Sequence, residues 1–344
     1  MSANAAQRDH QIDLIKSLAI WMVLIIQSSF FSDPVGSAPF LSNLFWRVLA
    51  GSAVPVFLMC SGALMLRPEK ELSLHKLFFR SLLRFVIAMV FWAMVYKAQH
   101  LWQAGQLTPS TLFAALKEVL VFNQEFHLYY LHIMMLIYVL LPVLRLIVRE
   151  GNETILRYLL ALLFLFGILG PTVKPYWPFT LVEGIPTQWV MNMTYAAIGY
   201  CLLGRYLRVH PLSKAVSAAL FAAGFAFTFV LTYLFSARQG SLDGRFLEGM
   251  TLGPCLMAAG LYGMLLHAKP TGRGEKLVTE LSRGSFCVYL VHVFFLNLDQ
   301  QALWRTLPIP RLLLVPLAAT ALLLVSVAVY EILSRIPGVK RWLI

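Results

Sequence analysis

The stretch KSLAIWMVLIIQ, residues 16–27, opens on a lysine, closes on a glutamine and is apolar throughout between them apart from Ser17. With its apolar flanks it approaches the roughly 20 residues that a helix needs to cross a hydrocarbon core. Comparable apolar segments recur at approximately 12–31, 41–66, 78–100, 127–148, 154–171, 188–205, 215–236, 250–268, 284–299 and 310–333. With 59% hydrophobic and only 13% charged residues over 344 positions, the chain is too apolar for a soluble domain of that length. The expected fold is all-α: a polytopic membrane protein of about ten transmembrane helices, forming a single domain over residues 1–344.

The loop charges test that count, because Lys and Arg accumulate on the cytoplasmic side of a membrane. An N-in, C-in arrangement puts 20 of the 28 basic residues inside, from Arg8 and Lys16 at one end of the chain to Lys340 and Arg341 at the other. Seven fall outside (Lys97, Lys117, Lys174, Arg238, Arg245, Arg305 and Arg311) and Arg47 lies within a span. The net charge of +12 then reflects a basic face on an anionic leaflet, and no nucleic-acid partner is expected.

Cys60, Cys201, Cys255 and Cys287 lie within apolar runs and show no CxxC spacing, so neither a disulfide framework nor a zinc site is expected. Asp13 and Lys16 near the start of the first run, with no small-residue cleavage site after it, point to a retained anchor. The sequence shows no internal repeat and no soluble domain. Chemistry is therefore expected within the helix bundle or at its edges. The longest connections, about 98–126 and 172–187, are expected on the outer face.

In the first span, eleven steps of 100° bring position 27 to within about 20° of position 16, at an axial distance of about 16 Å. One helix face thus carries a cation near the inner edge and a polar group deeper in. Spacing alone is equally consistent with a snorkelling, topology-setting lysine and an interhelical glutamine hydrogen bond.

RDHQIDLIKSLAIWMVLIIQSS (8–29) resembles the first helix of the acyltransferase 3 family of membrane proteins, in which an Arg or Lys is followed by ten residues and a histidine. SAVPVFLMCSGALML (52–66), HLYYLHIMMLIYVLLPVL (127–144) and SRGSFCVYLVHVFF (282–295) resemble the family's second, fourth and ninth helices, in order. The departure is Gln27, which stands where the family carries histidine. An amide can neither serve as general base nor carry an acyl group. Two explanations stay open: a His-to-Gln substitution made to trap a substrate complex, or a natural member that has lost or relocated its catalytic base. The intact remainder of the motif favours the first.

The resemblance implies transfer of an acyl group, acetyl being expected, from cytoplasmic acyl-CoA to a hydroxyl of an extracytoplasmic glycan or lipid-linked saccharide. It implies a bacterial cytoplasmic (inner) membrane, lipid as a partner, and no metal. Lys76, Arg80 and Arg84 follow at four-residue spacing, a basic stripe on one helix face. By resemblance Arg80 and Arg84 are donor-binding candidates, with Lys16 as a third cation, since guanidinium forks suit coenzyme A phosphates. Position 27 and His292 are the catalytic candidates. Arg47, His127 and Tyr129 are candidates for acceptor binding, and Tyr130, Trp177 and Trp189 fit either an interfacial aromatic belt or a sugar-stacking surface. A buried histidine is more often a hydrogen-bonded core residue than a catalyst, and Glu331 reads as a partner for an inner arginine. The rival classes are a transporter or export protein for a glycan or other anion, disfavoured by the lack of repeats and of matched discontinuous helices, and a catalytically inactive binding protein.

Overall fold

The computed structural model describes residues 8–69, 71–149, 153–176, 190–300 and 306–344; Lys70, Trp177, Trp189 and Arg305 lie outside the described residues. The described residues are 79% helical, with no strand among them. Its helices are α1 (His10–Ser28), α2 (Ala38–Leu49), α3 (Ala53–Met65), α4 (Leu74–Gln103), α5 (Pro109–Leu120), α6 (Phe126–Arg149), α7 (Glu153–Val173), α8 (Met193–Val209), α9 (Lys214–Gln239), α10 (Leu252–Leu266), α11 (Gly272–Leu298), α12 (Arg311–Leu333) and α13 (Pro337–Trp342). Among the described residues, nine segments are long and apolar enough to cross a membrane, with α2 and α3 forming one of them. The sixth expected span is α8, whose 17 residues sit at the short end of the spanning range.

Two features depart from the sequence reading. The second span is broken: α2 stops at Leu49, and α3 starts at Ala53 beyond Ala50, Gly51 and Ser52. Pro55 explains the break, because its ring nitrogen has no hydrogen to donate to the Gly51 carbonyl and its ring crowds that carbonyl. The other departure is π-helical geometry over Leu77–Leu82, Leu165–Leu169 and Leu296–Gln300. In addition, the 98–126 connection is largely helical, holding the end of α4 and all of α5.

The chain divides into two compact units. The first comprises residues 1–67, 152–285 and 309–320; the second comprises 68–151, 286–308 and 321–344. In the first unit α3 lies against α8 with no side chain between them at two points. A Cβ at Gly62 would fall 1.8 Å from the Cys201 carbonyl oxygen, and one at Gly204 would fall 2.1 Å from that of Met59. Such backbone contact substitutes for a hydrophobic drive that does not exist between helices in lipid. The four cysteines are all free and buried, and Cys201 donates to the Leu58 carbonyl at 3.3 Å.

The charged groups at the start of α1 are matched. Asp9 caps α1 through Ile12 N–H and accepts from Arg67 Nη2 at 3.1 Å and Arg208 Nη2 at 2.8 Å. Arg8 forks onto Asp13 at 2.5 and 3.0 Å and also donates to the Thr279 carbonyl. Asp13 therefore serves Arg8. Gln11 accepts from Arg208 Nη1 at 2.7 Å and donates to the Leu266 carbonyl at 2.6 Å. The ends of α1, α3, α8 and α10 and the start of α11 thus meet, as an even alternation of crossings requires.

The core of the second unit gathers Ala88, Met89, Trp92 and Tyr96 of α4 with Cys287, Leu290 and Val291 of α11. Val339, Leu343 and Ile344 at the end of the chain also pack into it. At 30 residues α4 is about 45 Å long against a hydrocarbon core of about 30 Å, so its ends extend beyond the apolar layer.

Candidate functional site

The polar groups of the second unit concentrate in two places. One surrounds His127 and His292, which sequence reasoning singled out separately and which the fold brings face to edge, with ring centroids 5.3 Å apart and planes at 74°. His292 is 0% and His127 2% exposed. The Nδ1 atom of His292 lies 2.8 Å from the Tyr289 carbonyl and 3.2 Å from that of Val288. Carbonyl oxygens only accept, so Nδ1 carries the ring hydrogen and Nε2 holds the lone pair. That Nε2 atom has no hydrogen-bond partner among the described residues, and neither does either ring nitrogen of His127. A buried polar group left unmatched costs about 1–3 kcal/mol, and three such nitrogens beside each other mark a place where something other than packing is served.

Aromatic rings hold the pair. Tyr96 lies edge-on to His127 at 5.0 Å and Tyr289 at 5.6 Å, and the Tyr289 hydroxyl donates to the His127 carbonyl. Tyr96 donates to the Leu290 carbonyl at 2.5 Å, Gln99 to that of Phe294 at 2.8 Å and Gln103 to that of Asn297 at 2.6 Å. These three α4 side chains recur at i, i+3 and i+7 and so share one face. They meet α11 carbonyls at and just before its π-helical end, and π segments often accompany functional sites. Tyr96, Gln99 and Tyr289 were missed in sequence; polar residues at helical spacing inside an apolar run were the available signal. Phe126 and Tyr129 beside His127 are 61% and 42% exposed, which gives the histidine pair an aromatic rim. His132 is engaged separately, with Gln124 and with the Phe122 ring.

The second place is a cavity of about 240 Å³ lined by Arg80, Ser81, Arg84, Phe85 and Tyr138 together with residues of α13. Arg80 and Arg84 are the expected donor-binding pair. Lys76 does not join them, because the π turn over Leu77–Leu82 shifts the angular phase that the four-residue spacing assumes. Arg84 donates to the Ile344 carbonyl and lies 5.6 Å over the Phe286 ring.

The other candidates belong to the first unit. Lys16 is half-buried and donates to the Ser282 carbonyl at 3.3 Å. Gln27 is half-buried in the last turn of α1, at the far end of the helix and not midway along it. Arg47 is half-buried in the last turn of α2, next to the break. Among the described residues no group of three or more His, Cys, Asp or Glu side chains could hold a metal.

A family model described as an acyltransferase domain, that of the acyltransferase 3 family, matches residues 9–331. No curated protein and no solved structure matches the chain.

Proposed function

Because the chain belongs to the acyltransferase 3 family, we propose that it is a membrane O-acyltransferase in which His292 is the general base. The observation carrying this reading is the His292 ring, held by two carbonyls at Nδ1 with a buried, unmatched lone pair at Nε2. An acceptor hydroxyl gives its proton to Nε2 as its oxygen attacks the thioester carbonyl. The C–S bond then breaks, and the departing thiolate takes the proton back from Nε2. His127, with one donor and one acceptor nitrogen, orients the acceptor, and Tyr129 at the rim contacts it. The exposed aromatic rim suits a saccharide, either a glycan or a lipid-linked one.

The donor is acyl-CoA, acetyl-CoA in the simplest case, with its phosphates at Arg80 and Arg84. The acceptor is taken from the opposite side of a bacterial cytoplasmic membrane, and no metal takes part. In this reading position 27 exchanges no proton, so its glutamine is compatible with turnover.

The test is acyl transfer from radiolabelled acetyl-CoA to a crude glycan acceptor in membranes. His292→Ala should lower the rate about 10²–10⁴-fold, the usual worth of a general base, while leaving coenzyme A affinity unchanged. Full activity in that variant would remove His292 from the chemistry. A transport reading draws on the broken second span with Arg47 beside the break, since discontinuous helices form many transporter sites. It predicts movement of intact substrate across sealed vesicles with no new ester.

A further inference from the structure

The cavity beside Arg80 has a second wall that the family match does not reach. Residues 9–331 match, whereas Lys340, Arg341 and Trp342 of α13 complete the lining. Four cations, Arg80, Arg84, Lys340 and Arg341, therefore surround about 240 Å³, and none of them forms an ion pair with an Asp or Glu side chain among the described residues. The rest of the polar lining consists of the Ser81 and Tyr138 hydroxyls and the Trp342 indole. All of these can donate a hydrogen bond, and no Asp or Glu side chain lines the cavity to repel an anion. The volume lies below the 300–1,000 Å³ of a whole-ligand pocket, which suits one or two phosphate groups rather than an entire nucleotide.

The second wall is fixed in place. Val339, Leu343 and Ile344 pack into the core of the unit, and Trp92 Nε1 donates to the Leu343 carbonyl at 2.9 Å. Arg84 donates to the Ile344 carbonyl, so it joins the two walls. Lys340 and Arg341 are exposed on the remaining side of α13, with the Arg341 guanidinium 5.1 Å over the Trp342 ring.

We propose that α13 is half of a phosphate-binding site, with Lys340 and Arg341 opposing Arg80 and Arg84, and that the phosphates of the acyl donor fill the site. This rests on the donor reading above. An anionic phospholipid headgroup offers the same chemistry, so the test separates the two sources. The full chain is placed in zwitterionic nanodiscs, and coenzyme A binding is measured for the wild type, Arg80→Gln and the double variant Lys340→Gln/Arg341→Gln, which leaves the apolar side of α13 intact.

The double variant should bind coenzyme A about 10- to 100-fold more weakly, as expected for lost charge-assisted contacts. It should also show a shallower salt dependence and, in the acyl-transfer assay, a higher KM for acyl-CoA at unchanged kcat. If Arg80→Gln weakens binding and the double variant does not, α13 is no part of the site and the donor reading survives. If the wild type binds no coenzyme A but retains a phospholipid by native mass spectrometry that the double variant loses, the donor is overturned as occupant. A wild type that holds neither overturns the site itself.

Discussion

The two units differ in how particular ionisable side chains are partnered. In the first, Asp9 answers Arg67 and Arg208, Asp13 answers Arg8, and Lys16 reaches a backbone carbonyl. In the second, three histidine nitrogens have no partner among the described residues, and four cations share a cavity lined by no Asp or Glu side chain. Matched charges in a membrane protein hold helices in register, whereas unmatched ones persist against their cost only where a substrate completes them. The proposed base and donor cations thus all lie in the second unit, although the first-helix segment that resembles the family's motif lies in the first.

The comparison breaks most readily at Asp9. Asp9→Asn keeps the helix cap but leaves Arg67 and Arg208 without their shared anion. Removing one partner of a largely buried pair costs about 3 kcal/mol, so detergent-solubilised protein should lose its fold at a clearly lower temperature. An unchanged melting temperature would mean that the network is ornamental and the contrast between the units unfounded. The reciprocal experiment is His127→Phe, which preserves ring packing against Tyr96 and Tyr289 and removes two unmatched nitrogens. Stability should hold or rise, because deleting unsatisfied polar atoms is neutral or favourable, while acyl transfer falls by about tenfold or more. A variant that unfolds would make His127 a structural residue.

The smallest expected effect is at position 27. Gln27→His should change acyl transfer by less than about tenfold if His292 already supplies the base, since a second base adds little to a site that has one. A rise of two orders of magnitude or more, from a nearly inactive Gln27 chain, would return the base to the first helix.

The ten apolar runs were legible because a membrane imposes length directly on sequence, and the inside-heavy charges anticipated which ends would meet. Arg8, Arg67 and Arg208 converge in one unit, and Arg80 and Lys340 in the other. What sequence hid was phase and distance. The four-residue stripe through Lys76 assumed an uninterrupted α-helix, and nothing in LFFRSL announces a π turn. Pro55 did signal a break, but the surrounding run is apolar enough to read straight through it. His127 and His292 stood out singly, yet their contact joins positions 165 residues apart, and only tertiary packing creates it. The α13 wall of the cavity was hidden for the same reason, since Lys340 and Arg341 read only as topology signals.

The four native cysteines have a practical consequence. Cys60, Cys201, Cys255 and Cys287 are all buried, so a membrane-impermeant maleimide meets almost no reactive thiol on this chain itself. A single cysteine introduced at Lys340 and another at Arg238 would report on ends that the charge count assigns to opposite faces. The chain is thus ready for topology mapping without first being stripped of its own sulfur.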